Sequence, residues 1–184
     1  MPRIVSRITA AVVRNGRFVS AASLLYFLGA TAGFVAAYTV QLETAPAFLD
    51  SYDRVPAGTI EIFTSNALVL TAILGGVVSF SGTALIGIFT SGFVHASVLI
   101  ALPVSVRQFL LFFLPHACLE LSAVWIAGAV GLRVPYEFTR LLRGSTDQLL
   151  SRRALADLSI LTVLAYLGIA VAAVIEGGLI RYAA

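Results

Sequence analysis

A histidine and a glutamate stand four residues apart, His116 and Glu120, inside the run Phe112 to Val134, FFLPHACLELSAVWIAGAVGLRV, which is otherwise almost wholly apolar. On a helix starting at Pro115 both side chains project from one face, followed there by Ala123, Ala127 and Gly131. Such a pair could relay protons, meet a cation or hold a neighbouring helix through hydrogen bonds. A charged side chain at the centre of a bilayer costs roughly 3 kcal/mol on insertion scales, so ionisable groups there face the protein interior and find partners. Asn66, His95 and Glu176 are the candidate partners, because each also sits within an apolar run.

The chemistry these residues exclude is as informative as the chemistry they allow. His95, His116, Glu120 and Glu176 are ligand types that zinc accepts, but HxxxE lacks the second histidine of the HExxH pattern, so no metal or other cofactor is expected. No stretch reads as a nucleophile, base and oxyanion constellation, a glycine-rich phosphate loop, a paired-cysteine motif or a hydrolase elbow. No catalytic residue is therefore assigned, and the chain is not expected to be an enzyme. The single cysteine, Cys118, lies in an apolar run and permits no internal disulfide.

The elements that must position these groups follow from composition. With 59 % hydrophobic and 11 % charged residues, the 184-residue chain is far from a soluble domain, where about 25 % are charged. It reads as one all-α membrane domain, polytopic, with five transmembrane helices at about 18–42, 62–79, 82–102, 115–132 and 155–180, plus short interfacial helices. The first run is too long for a secretory signal and is expected to remain as a span. Residues 1–17 form a basic amphipathic segment, either a helix in the headgroup layer or an unstructured basic tail. The second and third spans are expected to be joined by a tight hairpin broken around Gly75-Gly76 and Ser79 to Gly82. Residues 104–114 read as interfacial or re-entrant, with the fourth span opening at Pro115, where a proline does no harm.

Small residues mark the helix faces that pack closely. Gly29, Gly33 and Ala37 recur at four-residue spacing in the first span, and Gly87 continues a Ser79, Thr83, Ser91 series that leads to His95. Gly92, Gly128, Gly131 and Gly168 belong to the same class of contact, the last followed by Ala172 and Glu176. The edge on the first span also makes a homodimer conceivable.

Charge orients the bundle. All twelve basic residues are arginine, and nine of them gather in the N-terminal segment and in the loop Arg133 to Arg153, whereas the loop Glu43 to Glu61 is acidic against a single Arg54. The positive-inside bias then puts the N-terminus in the cytoplasm, the acidic loop and the C-terminus outside, and the chain in the cell membrane. The same arginines account for the pI near 9.4 without nucleic acid, which is not expected as a partner. With this topology Glu120 and Glu176 both lie about 7 to 8 Å below the outer surface, and Asn66, His95 and His116 fall in the same leaflet. A single outer-leaflet polar cluster is expected.

The same residues carry a family resemblance. Leu114, Pro115, His116 and Glu120, with F-T-S-N at 63–66, S-G at 91–92 and I-E-G at 175–177, resemble the motifs of the stage II sporulation protein M family. Ala117 stands where glycine is usual, Ser122 where proline is usual, and Ser91 where asparagine usually precedes the glycine. The resemblance spans roughly 60–180 and implies a multi-spanning membrane protein. In endospore formers the family is similar to a scaffold that joins peptidoglycan-remodelling partners; it also occurs in organisms that form no spores. It implies a scaffold or assembly role with other membrane proteins and the lipid bilayer as partners. A transport or permease-like subunit using the Glu and His residues as a proton or substrate path is the alternative.

Overall fold

The computed structural model describes residues 2–40, 58–101, 107 and 109–183, and nearly all of them are helical. The helices are α1 (Pro2–Arg14), α2 (Gly16–Val40), α3 (Thr59–Leu74), α4 (Gly82–Ala101), α5 (Leu114–Leu142) and α6 (Arg152–Ala183), and no strand occurs among the described residues. Five of them, α2 to α6, are long and apolar enough to cross a bilayer. The acidic loop expected at 43–61 lies almost wholly outside the described residues, as do 102–106.

The central helix is α5, which touches all four other spanning helices. Its face of Ala123, Val124 and Ala127 packs into a core with Ala22, Tyr26, Leu70, Ile73, Ile88 and Ile169. The broadest contact joins α2 to α4, and glycine makes it possible. A Cβ on Gly29 would overlap the carbonyl of Phe89, one on Gly33 that of Phe93, and one on Gly92 that of Tyr26. Because 29 meets 89 and 33 meets 93, the two helices run parallel, backbone against backbone. The small-residue edge that made a homodimer conceivable is thus occupied within the chain by α4.

The connection between α3 and α4 is a short 3₁₀ turn at Gly75–Val77 followed by Val78 to Ser81. Phe80 and Ser81 both have positive φ, 50° and 70°, and the turn closes with a 2.8 Å bond from the Ser81 amide to the Gly76 carbonyl. Gly76 is buried, and a Cβ there would collide with Ala84 and the backbone of Gly131, so this glycine sets the approach of the hairpin to α5.

One stretch differs from the sequence expectation, and another is described only in part. Residues Phe109–Phe113 make a π-helical turn that runs directly into α5, with Pro115 in its first turn, so the described part of 104–114 is a lead-in to that helix. At its other end α5 continues through Pro135 to Leu142, where a loop was expected from Arg133. Proline there removes one helical hydrogen bond, a loss that ion pairs along the helix recover only in small part: Arg140 Nη1 lies 3.0 Å from Glu137 Oε2, and Arg133 Nε lies 3.9 Å from Glu137 Oε1. At about 1.5 Å per residue a 29-residue helix exceeds a hydrocarbon core of roughly 30 Å, so one end stands clear of it.

The N-terminal segment is helical. Ala11 and Asn15 are fully buried while Ile4, Val5 and Val13 are exposed, so α1 docks through its last turns only. Val12 joins a second apolar cluster around Val130, Leu158 and Leu161.

Candidate functional site

The polar residues singled out from sequence sit on α3, α4, α5 and α6, and their hydrogen bonds form two pairs. Asn66 on α3 donates its Nδ2 hydrogen to Glu120 Oε1 on α5. His95 on α4 shares a 2.9 Å hydrogen bond through Nδ1 with the Tyr26 hydroxyl on α2. Tyr26 is 5 % exposed and was not predicted, although an aromatic hydroxyl four residues below Ala30 on a small-residue edge was the available signal.

His116 lies one turn before Glu120, 7 % exposed, its ring 5.3 Å from that of Phe113. Its Nδ1 is buried and takes no hydrogen bond among the described residues. Glu176 on α6 is half-buried. Glu176 precedes Gly177, which meets Thr59 at the start of α3. Among the described residues no group of three or more His, Cys, Asp or Glu side chains is placed to hold a metal ion.

The glycines expected at packing faces divide by what surrounds them. Gly29, Gly33 and Gly92 face backbone, as does Gly131, where a Cβ would crowd the Ile73 carbonyl. Gly128 and Gly87 face the side chains of Ile88 and Ile73, and Gly168 has ordinary room beside Ala123.

Two clefts open on either side of α4 and share His95 and Glu120 in their walls. One, of about 330 Å³, lies between α3 and α4 and includes Ser65, Asn66, Thr90 and Ser91. The other, of about 250 Å³, lies between α2, α4 and the start of α5 and is almost wholly apolar, with Phe27, Ala30, Leu99, Phe109 and Phe113.

A second polar network, unforeseen from sequence, lies at the opposite end. Asp157 on α6, 2 % exposed, receives Arg14 Nε at 2.9 Å and Nη2 at 2.6 Å, with Arg133 Nη1 at 3.8 Å. Arg133 also donates to Oδ1 of Asn15, whose own amide caps the Ala11 carbonyl at 2.7 Å. The bidentate bond to Asp157 raises the pKa of the Arg14 guanidinium above its ordinary value. Beside this network Arg17 stacks over the rings of Phe18 and Tyr136, 4.6 and 4.4 Å from their centres. The signal was present as an aspartate within an apolar run and an asparagine between two helices.

The comparisons agree with this architecture. An uncharacterized protein of Methanocaldococcus jannaschii is 25 % identical over 159 residues, covering 83 % of this chain and 88 % of its own length. No solved structure matches. The model of the family described as stage II sporulation protein M matches residues 22–179, from the first spanning helix to the last, taking in the Leu114 to Glu120 motif and both polar pairs; the chain belongs to that family.

Proposed function

We propose that this protein is a non-enzymatic membrane scaffold or assembly subunit whose helices are held in register by polar pairs in one leaflet. The observation that supports it is how the polar groups are used. Asn66 with Glu120 and Tyr26 with His95 each bridge two different helices, and neither pair includes a serine, cysteine or threonine placed as a nucleophile. Interhelical bonds of this kind contribute about 0.6 kcal/mol each, enough to select one lateral arrangement of helices that lipid would otherwise leave undecided. Other membrane proteins are its partners in this reading, met through the exposed helix faces and short loops.

The orientation proposed is N-terminus cytoplasmic and C-terminus outside, in the cell membrane. Arg14, Arg17, Arg133, Arg140, Arg143, Arg152 and Arg153 all belong to one end of the bundle, the end that the positive-inside bias assigns to the cytoplasm.

A transport role is the second reading, favoured by the two clefts that meet at His95 and Glu120. The two are separated by the double substitution Glu120→Gln, Glu176→Gln. A scaffold loses stability or partner capture in mild detergent and shows no pH-driven flux before or after; a transporter stays folded and loses flux in proteoliposomes.

A further inference from the structure

We propose that the paired clefts flanking α4 bind one amphiphile, a non-anionic lipid-like molecule whose hydroxyl or ammonium head donates a hydrogen bond at Glu120 while its apolar chain lies against Phe27, Leu99 and Phe113. The site goes beyond both a scaffolding and a transport role.

Three observations carry it. First, polar atoms are left over on the two residues that both clefts share. Glu120 uses Oε1 for Asn66, and His95 uses Nδ1 for Tyr26; among the described residues Glu120 Oε2, an acceptor, and His95 Nε2, a donor or acceptor according to the tautomer, take no hydrogen bond. A polar atom left unpaired in an apolar medium is costly, and a head group that donates to it removes the cost. Ser91 and Thr90 do not compete for that role, since their hydroxyls already donate to the Gly87 and Ile86 carbonyls.

Second, the charge pattern chooses the head group. Glu120 lines both clefts, and no arginine lines either among the described residues. A phosphate or carboxylate head would face a carboxyl group with no cation to receive it, which excludes ordinary phospholipids and fatty acids. A hydroxyl or an ammonium fits.

Third, shape separates head from chain. The cleft beside α3 is the polar one, the cleft beside α2 is the apolar one, and together they fall within the roughly 300–1,000 Å³ typical of small-molecule sites. Both include exposed residues at their rims, Val94 and Thr90 on one side and Leu99 and Leu114 on the other, so a molecule enters sideways from the bilayer.

The chain supplies its own reporters. Trp125 is the single tryptophan, its ring 5.8 Å from Phe27 and 6.1 Å from Tyr26, two residues that line the apolar cleft, and Cys118, the single cysteine, lines the cleft itself. The full chain is reconstituted in phosphatidylcholine vesicles and titrated with doxyl-labelled stearylamine, stearyl alcohol, stearic acid and phosphatidylcholine, reading Trp125 quenching and the rate of Cys118 alkylation by a membrane-permeant maleimide. Saturable quenching with slowed alkylation is expected for the alcohol, the amine or both, and not for the two anionic or zwitterionic probes. Glu120→Gln weakens the amine about tenfold and spares the alcohol, which tells the two heads apart. Ala96→Phe, which fills the apolar cleft, abolishes saturation by either; Ala30→Leu from the facing helix does the same and guards against misfolding of the first. Unsaturable quenching of equal strength by all four probes, or saturation that survives in a folded Ala96→Phe or Ala30→Leu protein, overturns the proposal.

Discussion

Arg14 and Asp157 stand 143 residues apart in the chain and meet through two hydrogen bonds, 2.9 Å and 2.6 Å, at the arginine-rich end of the bundle. This contact fastens the N-terminal helix to the last one. Asp157 is almost wholly buried, and Arg133 and Asn15 complete its surroundings. Asp157→Ala removes the carboxylate that Arg14 and Arg133 share and should lower stability, Arg133 keeping Glu137 and Asn15 as partners. Arg14→Ala removes a partner that is partly exposed and should cost less, with Arg133 remaining to face Asp157. Thermal unfolding in detergent ranks the two. Trypsin cleavage after Arg17 should accelerate in both, most in Asp157→Ala, because α1 is released.

The pair Asn66 and Glu120 is accessible to a double-mutant cycle. Asn66→Ala, Glu120→Ala and the double variant should give a coupling energy of about 0.6 kcal/mol and no more than about 1.7 kcal/mol, as for other interhelical bonds in bilayers. A coupling near zero in unfolding measurements contradicts a register-setting role for this pair.

Backbone contact between α2 and α4 makes alanine a large residue at Gly29. A Cβ there overlaps the Phe89 carbonyl, so Gly29→Ala should force the helices apart and destabilise by about 1–3 kcal/mol. Gly178→Ala is the control, since nothing lies within 4 Å of that position, and removing a helical glycine there should stabilise by about 0.5–1 kcal/mol. Unfolding midpoints of the two variants should move in opposite directions.

The hairpin between α3 and α4 holds Ser81 at φ 70°, where a side chain is strained. Ser81→Gly should raise stability by about 1 kcal/mol by relieving that strain, read as a higher unfolding midpoint. Ser81→Val should lower it.

Orientation is testable by one cysteine. Gln148 is exposed in the connection between α5 and α6, at the end that carries the arginines. In a Cys118→Ser background, Gln148→Cys should react with an impermeant maleimide only in inverted membranes. Reaction in intact cells would reverse the proposed topology.

The lengths of apolar runs were legible in the sequence because partition into a bilayer is a sum over neighbouring residues, and neighbours in the chain are all that sum requires. Pairing His116 with Glu120 on one face of α5 was legible for the same reason, since helical periodicity is local. The motif from Leu114 to Glu120 pointed to the family on residue types and spacing alone. Gly29 and Gly33 announced a close contact.

What no run of residues contains is lateral order. Whether Gly29 meets another molecule or α4, whether His95 bonds to Glu120 or to Tyr26, and which arginine answers Asp157 all depend on how five rods stand around one another. Hydrophobic burial barely distinguishes those arrangements, because lipid is as apolar as a neighbouring helix. The choice falls to contacts between segments far apart in the chain: glycine backbones that admit a carbonyl, an amide that reaches a carboxylate, a buried aspartate that gathers two arginines. Membrane-crossing helices and the faces that carry polar and small residues follow from local order in the chain; which helix meets which does not, since hydrogen bonds and close packing act over a few ångströms in space and take no account of distance along the chain.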